Sequence, residues 1–234
     1  MKSSRRPAAR ARKDDAITVY TAVVGSRDSL REDQNTQGAR FSAFVSRKSG
    51  SKVWRECDAC DTFRSARRNS RIHKILSHQY VQSRYSLWMD ANVSLRVPAW
   101  QLVEEYLGDC DLATFQHRTR GCTYDEAGVC IAMNLDDPAT IRRQIRKYKA
   151  AGLEAGLGLP ENTVILRRHT EAVESFNNAW WSELSCHSVR DQLSFVYAAS
   201  ATGLRVRLIT PTKYENPRFD IIPRDAGAEP ARSR

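Results

Sequence analysis

Strand-like and helix-like segments alternate along the chain, and this alternation restricts the fold more than any other feature. β-branched and aromatic runs predict strands at 16–24, 40–46, 84–90, 111–116, 163–167 and 205–209. Apolar residues at helical spacing predict helices at 65–80, 98–107, 138–151, 171–185 and 190–202. This order predicts an α/β fold: a mostly parallel sheet, flanked by helices, in one domain. Sheets of this kind bind their ligands at the carboxyl ends of the strands.

The two ends of the chain differ in composition from its middle. The first thirteen residues hold no acid, so they carry more than half of the net charge of +10. Their cations are Lys2, Arg5, Arg6, Arg10, Arg12 and Lys13. We expect a basic flexible arm at 1–15, a folded domain at 16–209 and a tail rich in proline and charge at 210–234. The arm is either solvated or in contact with a polyanion.

Composition excludes several classes of protein. With 41% hydrophobic and 27% charged residues, the chain is neither mostly disordered nor collagen-like. No apolar stretch approaches the roughly 18 residues of a membrane span, and the N-terminal segment lacks the apolar core of a secretory signal. We therefore expect no membrane insertion and a cytoplasmic location. The cysteines are expected to be ordinary thiols, because Cys57 and Cys60 lack the second ligand pair of a zinc site.

The clearest candidate site follows the predicted strand at 84–90. Asp90 ends this strand and Asn92 comes two residues later, so their side chains point the same way in an extended segment. Two such oxygen ligands suit Mg²⁺ or Mn²⁺, which are often completed by substrate phosphates. The alternative is a plain turn, which Asp and Asn also favour.

A second candidate is one face of the predicted helix at 65–80. An apolar face and a basic face lie well apart around its axis. The apolar face consists of Ile72, Ile75, Leu76 and Tyr80, and the basic face consists of Arg67, Arg71, Lys74 and His78. The basic face is either solvated or turned toward a phosphate group.

Two more polar segments stand at the ends of predicted elements. His117, Arg120 and Glu126 follow the strand at 111–116, where the cations can meet phosphate. Asp191 and Gln192 begin the last helix, where helix capping alone also explains an acidic residue.

Five segments together resemble a known family. They are YTAVVGSRDSL at 20–30, RIHKILSH at 71–78, YSLWMDANVSL at 85–95, HRTRGCTYDEA at 117–127 and AWWSELSCHSVRDQLSF at 179–195. In this order they resemble the glycosyltransferase-like domain of plants and bacteria that was long labelled a domain of unknown function. The resemblance implies a GT-A-type, Rossmann-like fold and a UDP- or GDP-sugar donor. It also implies a divalent cation, Mn²⁺ or Mg²⁺, bound by an Asp-x-Asp motif.

The resemblance implies roles for individual residues. The metal motif falls on Asp90 and Asn92, where Asn replaces the second Asp and weakens the expected metal binding. Donor-binding roles fall on Thr21, Arg71, Lys74, Asp90, His117 and Arg120, and catalytic roles fall on Asp191, Gln192 and Glu126. Glu126 or Asp191 would deprotonate the acceptor in an inverting reaction, whereas Asp191 and Gln192 would stabilise the sugar in a retaining one. The sequence leaves both outcomes open.

Other functions and several acceptors fit parts of the sequence. A nucleotidyltransferase would share the sheet and the carboxylates, but Gly25 stands alone where such enzymes carry a glycine-rich loop. A nucleic-acid-binding module would explain the basic arm, but the sequence has no helix-turn-helix, zinc-finger or RNA-recognition signature. For a sugar transferase, the acceptor is predicted to be a glycan or DNA with a hydroxymethylated base. A basic chain of this composition suits a bacterium or a phage-infected host.

Overall fold

The computed structural model describes residues 17–25 and 28–222, so the expected basic arm at 1–15 lies outside the described residues. The strands are β1 (Ile17–Val23), β2 (Arg40–Val45), β3 (Arg55–Asp58), β4 (Tyr85–Met89), β5 (Val93–Leu95), β6 (Leu112–Gln116), β7 (Pro160–Arg168), β8 (Val206–Ile209) and β9 (Phe219–Ile221). The helices are α1 (Ala66–Ile75), α2 (Ser77–Tyr80), α3 (Ala99–Leu102), α4 (Thr123–Ala132), α5 (Pro138–Ala150), α6 (Glu171–Cys186) and α7 (Asp191–Thr202). A π-helical turn at Val103–Leu107 continues α3. Among the helices described, none has both the length and the apolar character that a bilayer span requires.

Seven strands form one sheet in the order β3-β2-β1-β4-β7-β6-β8. Every neighbouring pair is parallel except the two pairs of β7, which runs antiparallel between β4 and β6. The predicted α/β architecture with a mostly parallel sheet is confirmed. The direction of β7 is not visible in its sequence, because an apolar run such as TVILR is equally suited to a buried strand of either direction.

The two faces of the sheet carry separate hydrophobic cores. Side chains of β1 alternate between them, as the pleat of a strand requires. Ile17 and Val19 belong to the core beneath α3, whereas Tyr20 belongs to the core beneath α1, α6 and α7. In that second core the ring of Tyr20 meets the ring of Trp88 edge-on, with centroids 5.3 Å apart. Helix α1, which carries Arg71 and Lys74, therefore lies on the face of the sheet to which Tyr20 points.

Two helices differ from the prediction. The helix expected at 65–80 breaks at Leu76, whose ψ of 44° is not helical, so that α1 and α2 are separate. Helix α4 forms within a segment that the sequence indicates only as a cluster of polar groups. Its buried residues are Thr123, Glu126, Ala127 and Cys130, so its buried face lacks the periodic large apolar side chains from which a helix is recognised.

The folded part of the chain continues past the expected boundary at residue 209. Strand β9 pairs antiparallel with β5, and Phe219 is buried against Phe115 with ring centroids 5.6 Å apart. Lys213 is also buried. The described residues 210–222 are thus packed onto the domain, and a three-residue strand is too short to give a periodic sequence signal.

Candidate active site

Four strands bring their ends to one edge of the sheet. β1, β4 and β6 end there, and the antiparallel β7 begins there. Asp90 directly follows β4 and His117 directly follows β6. The backbone N–H of Asp90 donates to the carbonyl of Thr163 at 2.9 Å, and that of His117 donates to the carbonyl of Leu159 at 2.8 Å. Candidate residues from distant parts of the chain thus meet around the start of β7.

A buried ion cluster joins α1, α7 and the end of β4. Lys74 Nζ lies 2.7 Å from Asp191 Oδ2 and 3.8 Å from Asp90 Oδ1, and Arg71 Nε lies 3.4 Å from Asp191 Oδ2. The indole N–H of Trp88 donates to Asp90 Oδ1 at 3.0 Å. Lys74 is 1% exposed and Asp191 is 6% exposed. The basic face of the helix is therefore turned inward at Arg71 and Lys74, toward carboxylates, and does not form a solvated surface there.

Burial and pairing set the charges of this cluster. Burial lowers the pKa of the Lys74 ammonium to about 8, although Asp191 favours its charged form. Burial also opposes ionisation of Asp191, but Arg71 and Lys74 outweigh it and hold the pKa of that carboxyl well below its usual range. Lys74 and Asp191 are therefore both charged at neutral pH.

Helix capping does not account for Asp191. The N-cap of α7 is Arg190, and no side chain among the described residues caps this helix end. The carboxylate of Asp191 turns to the cations of α1 instead. Its neighbour Gln192 donates from Nε2 to the carbonyl of Pro160 at 3.1 Å, which fastens α7 to the start of β7.

Two further arginines, Arg67 and Arg190, lie near the ion cluster, and neither was predicted from the sequence to bind the donor. Burial lowers the pKa of Arg67, and the neighbouring charges of Arg190 and Arg71 lower it further. No carboxylate of the described residues lies within ion-pairing distance of Arg67. The positive charges of Arg67, Arg71 and Arg190 lie near one another. Such a concentration of positive charge favours binding of an anionic ligand.

Glu126 is a paired carboxylate. It is 1% exposed, its Oε2 accepts a hydrogen bond from Arg120 Nε, and its Oε1 lies 3.7 Å from an Arg190 nitrogen. His117 Nδ1 accepts hydrogen bonds from two backbone N–H groups of the following turn, one of them that of Arg120 at 3.1 Å. Burial, followed by the charge of Arg120, lowers the pKa of His117. This group of side chains therefore orders the segment after β6 and positions Arg120.

Asp90 and Asn92 fit a divalent cation in the type of their donor atoms. Asn92 Nδ2 donates to the carbonyl of Ile222 at 2.7 Å, while its Oδ1 is buried and accepts no hydrogen bond from the described residues. No group of three or more His, Cys, Asp or Glu side chains within the described ranges is placed to hold a metal. The ligands available to a cation are thus one carboxylate and one amide oxygen, to which substrate phosphates would be added.

A cavity of about 590 Å³ opens at the carboxyl ends of β1 and β2. Its lining includes Val23, Asp28, Leu30, Val45, Lys48 and Lys52. Its volume is that of a typical small-molecule pocket. Thr21, which was expected beside the nucleotide base, is fully buried within β1 and is not among the residues that line the cavity.

Residues 32–213 match the model of the family described as TOD1/MUCI70, glycosyltransferase-like domain. The chain belongs to the TOD1/MUCI70 family. The resemblance stated from five sequence segments is thereby confirmed. The matched range of the TOD1/MUCI70 model contains the whole ion cluster and ends at Lys213, whereas Thr21 lies before it.

Two curated relatives come from Arabidopsis thaliana. The chain is 33% identical over 210 residues to the probable hexosyltransferase MUCI70, in an alignment that covers 76% of this chain and 36% of that protein. It is 24% identical over 152 residues to the alkaline ceramidase TOD1, covering 60% of this chain and 33% of that protein. The chain therefore spans about a third of the length of both relatives. A bacterial or phage origin stays a prediction.

A solved structure with a similar backbone is the bifunctional glycosyltransferase WbbM in its apo form. The likeness has a TM-score of 0.47 at 10% sequence identity and covers 84% of this chain and 39% of that chain. The assignment to the TOD1/MUCI70 family rests on the sequence match.

Proposed function

We propose that the chain transfers a hexosyl group from a UDP- or GDP-sugar to a hydroxyl group of an acceptor glycan. The observation that carries this proposal is the pair of cations formed by Arg71 and the buried Lys74, which lie beside Asp191 and Asp90 at the edge of the sheet where β4 ends. Membership of the TOD1/MUCI70 family and the hexosyltransferase named among its relatives support the same class of reaction.

The charge distribution suits the leaving group of this reaction. When the bond between the anomeric carbon and the diphosphate breaks, the diphosphate gains negative charge. Arg71 and Lys74 would stabilise it through charge-assisted hydrogen bonds. Asp191, which pairs with both of them, would hold the two cations in position until the donor arrives.

Asp90 and Asn92 are the residues that would hold Mg²⁺ or Mn²⁺. A cation there would supply Lewis-acid stabilisation of the diphosphate. Asp90 is already fixed for this task by the indole N–H of Trp88, and Asn92 is fixed by the carbonyl of Ile222.

The two catalytic carboxylates of the sequence analysis take different roles in this proposal. Glu126 contacts two arginines, so we assign it the positioning of Arg120 and Arg190 rather than the removal of a proton. Asp191 remains the carboxylate nearest the cations, and with Gln192 it would lie beneath the transferred sugar. The departing diphosphate would then take the proton of the acceptor hydroxyl.

The ceramidase activity named for one relative is not proposed for this chain. A ceramide carries no phosphate, whereas the cations at Arg67, Arg71 and Lys74 match a diphosphate in charge. The nucleoside of the donor would occupy the cavity at the ends of β1 and β2.

A donor screen tests the proposal. Purified protein is incubated with a panel of UDP- and GDP-hexoses, with and without Mn²⁺, and release of UDP or GDP is measured together with donor affinity. Arg71→Ala is expected to weaken donor binding about tenfold, because it removes one charge-assisted contact. The matched control is Arg142→Ala, an exposed arginine on α5, which should leave binding unchanged. Absence of binding across the panel, or equal effects of the two variants, would contradict the proposal.

A further inference from the structure

The first residues of β7 occupy the centre of the site. Three candidate residues bond to backbone carbonyls of the segment 159–163. Asp90 and His117 do so through their backbone N–H groups, at 2.9 and 2.8 Å, and Gln192 does so through Nε2 at 3.1 Å. These bonds fix the segment between β4, β6 and α7.

The pairing of β7 is irregular at this point. Thr114 of β6 pairs with Ile165, but the next residue, Phe115, pairs with Glu161, so residues 162–164 form a bulge. The hydroxyl of Thr114 donates to the carbonyl of Val164 at 2.8 Å within the bulge. Bulges beside active sites commonly redirect a side chain, so the position of Asn162 calls for a functional explanation.

Asn162 carries a buried amide without partners. The residue is 3% exposed, and neither its oxygen nor its nitrogen bonds to any of the described residues. Oε2 of the adjacent Glu161 is buried and unpartnered in the same way. Leaving such groups unsatisfied destabilises the folded protein, and native proteins rarely tolerate it without a reason. A ligand rich in hydroxyl groups would satisfy both residues.

The segment after β8 crosses this part of the site. Lys213 Nζ lies 2.7 Å from Glu161 Oε1 and donates to Thr163 Oγ1 at 2.6 Å. Lys213 therefore bridges the residues on either side of Asn162 and fixes one oxygen of Glu161, which leaves the other oxygen available. The same two contacts hold the segment after β8 against the start of β7.

We propose that Asn162 and Glu161 recognise hydroxyl groups of the donor's hexose. The inference rests on the proposed function and deepens it. An amide that both donates and accepts, next to an acceptor oxygen, discriminates between arrangements of sugar hydroxyls, which the cations of α1 do not. The site then divides the donor, with Arg71 and Lys74 on the diphosphate and the β7 bulge on the sugar.

The test compares two ligands on the same protein. Calorimetry gives the Kd of UDP or GDP, and the Kd of the corresponding nucleotide hexose that the wild type binds best. The ratio of these two Kd values measures how much the hexose contributes to binding. We expect Asn162→Leu to reduce this contribution about tenfold. Glu161→Gln, which keeps an oxygen for Lys213, should reduce it about fivefold. The Kd of the free nucleotide should stay within about twofold in both variants.

Stability measurements separate recognition from a structural role. Asn162→Leu removes an amide without partners, so its Tm should equal or exceed that of the wild type. The control is Asn69→Leu, whose amide bonds both the N–H and the carbonyl of Phe63 and whose loss should lower the Tm. An unchanged sugar contribution in Asn162→Leu and Glu161→Gln, or equal weakening of both ligands, would overturn the inference while the proposed function stands. A wild type that binds neither ligand would overturn both.

Discussion

Lys74 is a cation whose charge depends on its burial. Its side chain extends from α1 toward the carboxylates of Asp191 and Asp90, and burial lowers the pKa of its ammonium group to about 8. A lysine with a lowered pKa is charged below that value and neutral above it. We therefore expect the affinity for a nucleoside diphosphate to fall as pH rises through about 8, approaching tenfold per pH unit. Titration calorimetry between pH 7 and pH 9.5 measures this.

Lys74→Arg is the matched control for that pH profile. Arginine stays protonated over the whole range, so the decline above pH 8 should disappear in this variant. A wild-type affinity that stays constant up to pH 9.5 would show that Lys74 does not contact the diphosphate.

Asp191 stabilises the fold as well as the site. Asp191→Asn leaves Lys74 buried without its closest counter-charge, so we expect the free energy of unfolding to fall by about 2–4 kcal/mol. The control is Asp137→Asn at the exposed N-cap of α5, which should cost under about 0.5 kcal/mol because Asn caps nearly as well. Urea denaturation at pH 7 gives both values, and equal losses would show that the pairing of Asp191 with Lys74 does not stabilise the fold.

The sequence predicted which side chains stand at the ends of strands, but it did not predict which of these side chains contact one another. The carboxyl-end rule for parallel sheets pointed to Asp90 and His117 from sequence alone. The sequence does not indicate that Arg71 faces Asp191, since the two residues are 120 positions apart in the chain. Asn162 is not recognisable from the sequence as a site residue, because a polar residue directly before a predicted strand is typical of an ordinary loop.

At the scale of elements, strands and helices with large apolar side chains were the ones that the sequence predicted well. β1, β4 and α6 have such patterns and appear within a few residues of their expected bounds. The breaks and short elements were not predictable. α1 ends before Leu76, a residue of high helix propensity with a non-helical ψ of 44°, so propensity alone does not predict this break. β9 exists only because it pairs with β5.

Strand β9 gives a direct test of where the domain ends. Phe219→Ala removes a ring that packs on Phe115 in the core, so we expect a loss of about 3 kcal/mol in unfolding free energy. Ile222→Ala is the control from the same segment, because that side chain is 54% exposed and should cost under about 0.5 kcal/mol. Thermal and urea unfolding measure both. Equal, small losses would place the end of the folded domain before β9.

At the scale of the whole molecule, ligand binding should appear as added stability. A nucleoside diphosphate at 100 times its Kd contributes about 2.7 kcal/mol. For a chain of this size that corresponds to an increase in Tm of about 5–10 °C. Uridine and guanosine lack the phosphates that Arg71 and Lys74 would contact. At the same concentration as the nucleoside diphosphate, either nucleoside should therefore raise the Tm much less. Scanning fluorimetry compares them, and equal shifts would remove the cation cluster from donor binding.

The reversed direction of β7 has a consequence for how this fold can diversify. Because β7 begins at the edge where β4 and β6 end, the loop at 151–159 reaches the sheet at the same edge as the segments after those strands. Surface loops tolerate insertions and deletions far better than helices or strands. Changes of length at 151–159 would reshape this edge of the sheet while α1 and its cations stayed in place. Under the proposed function, evolution of this one loop would alter the choice of acceptor and leave the residues assigned to the diphosphate unchanged.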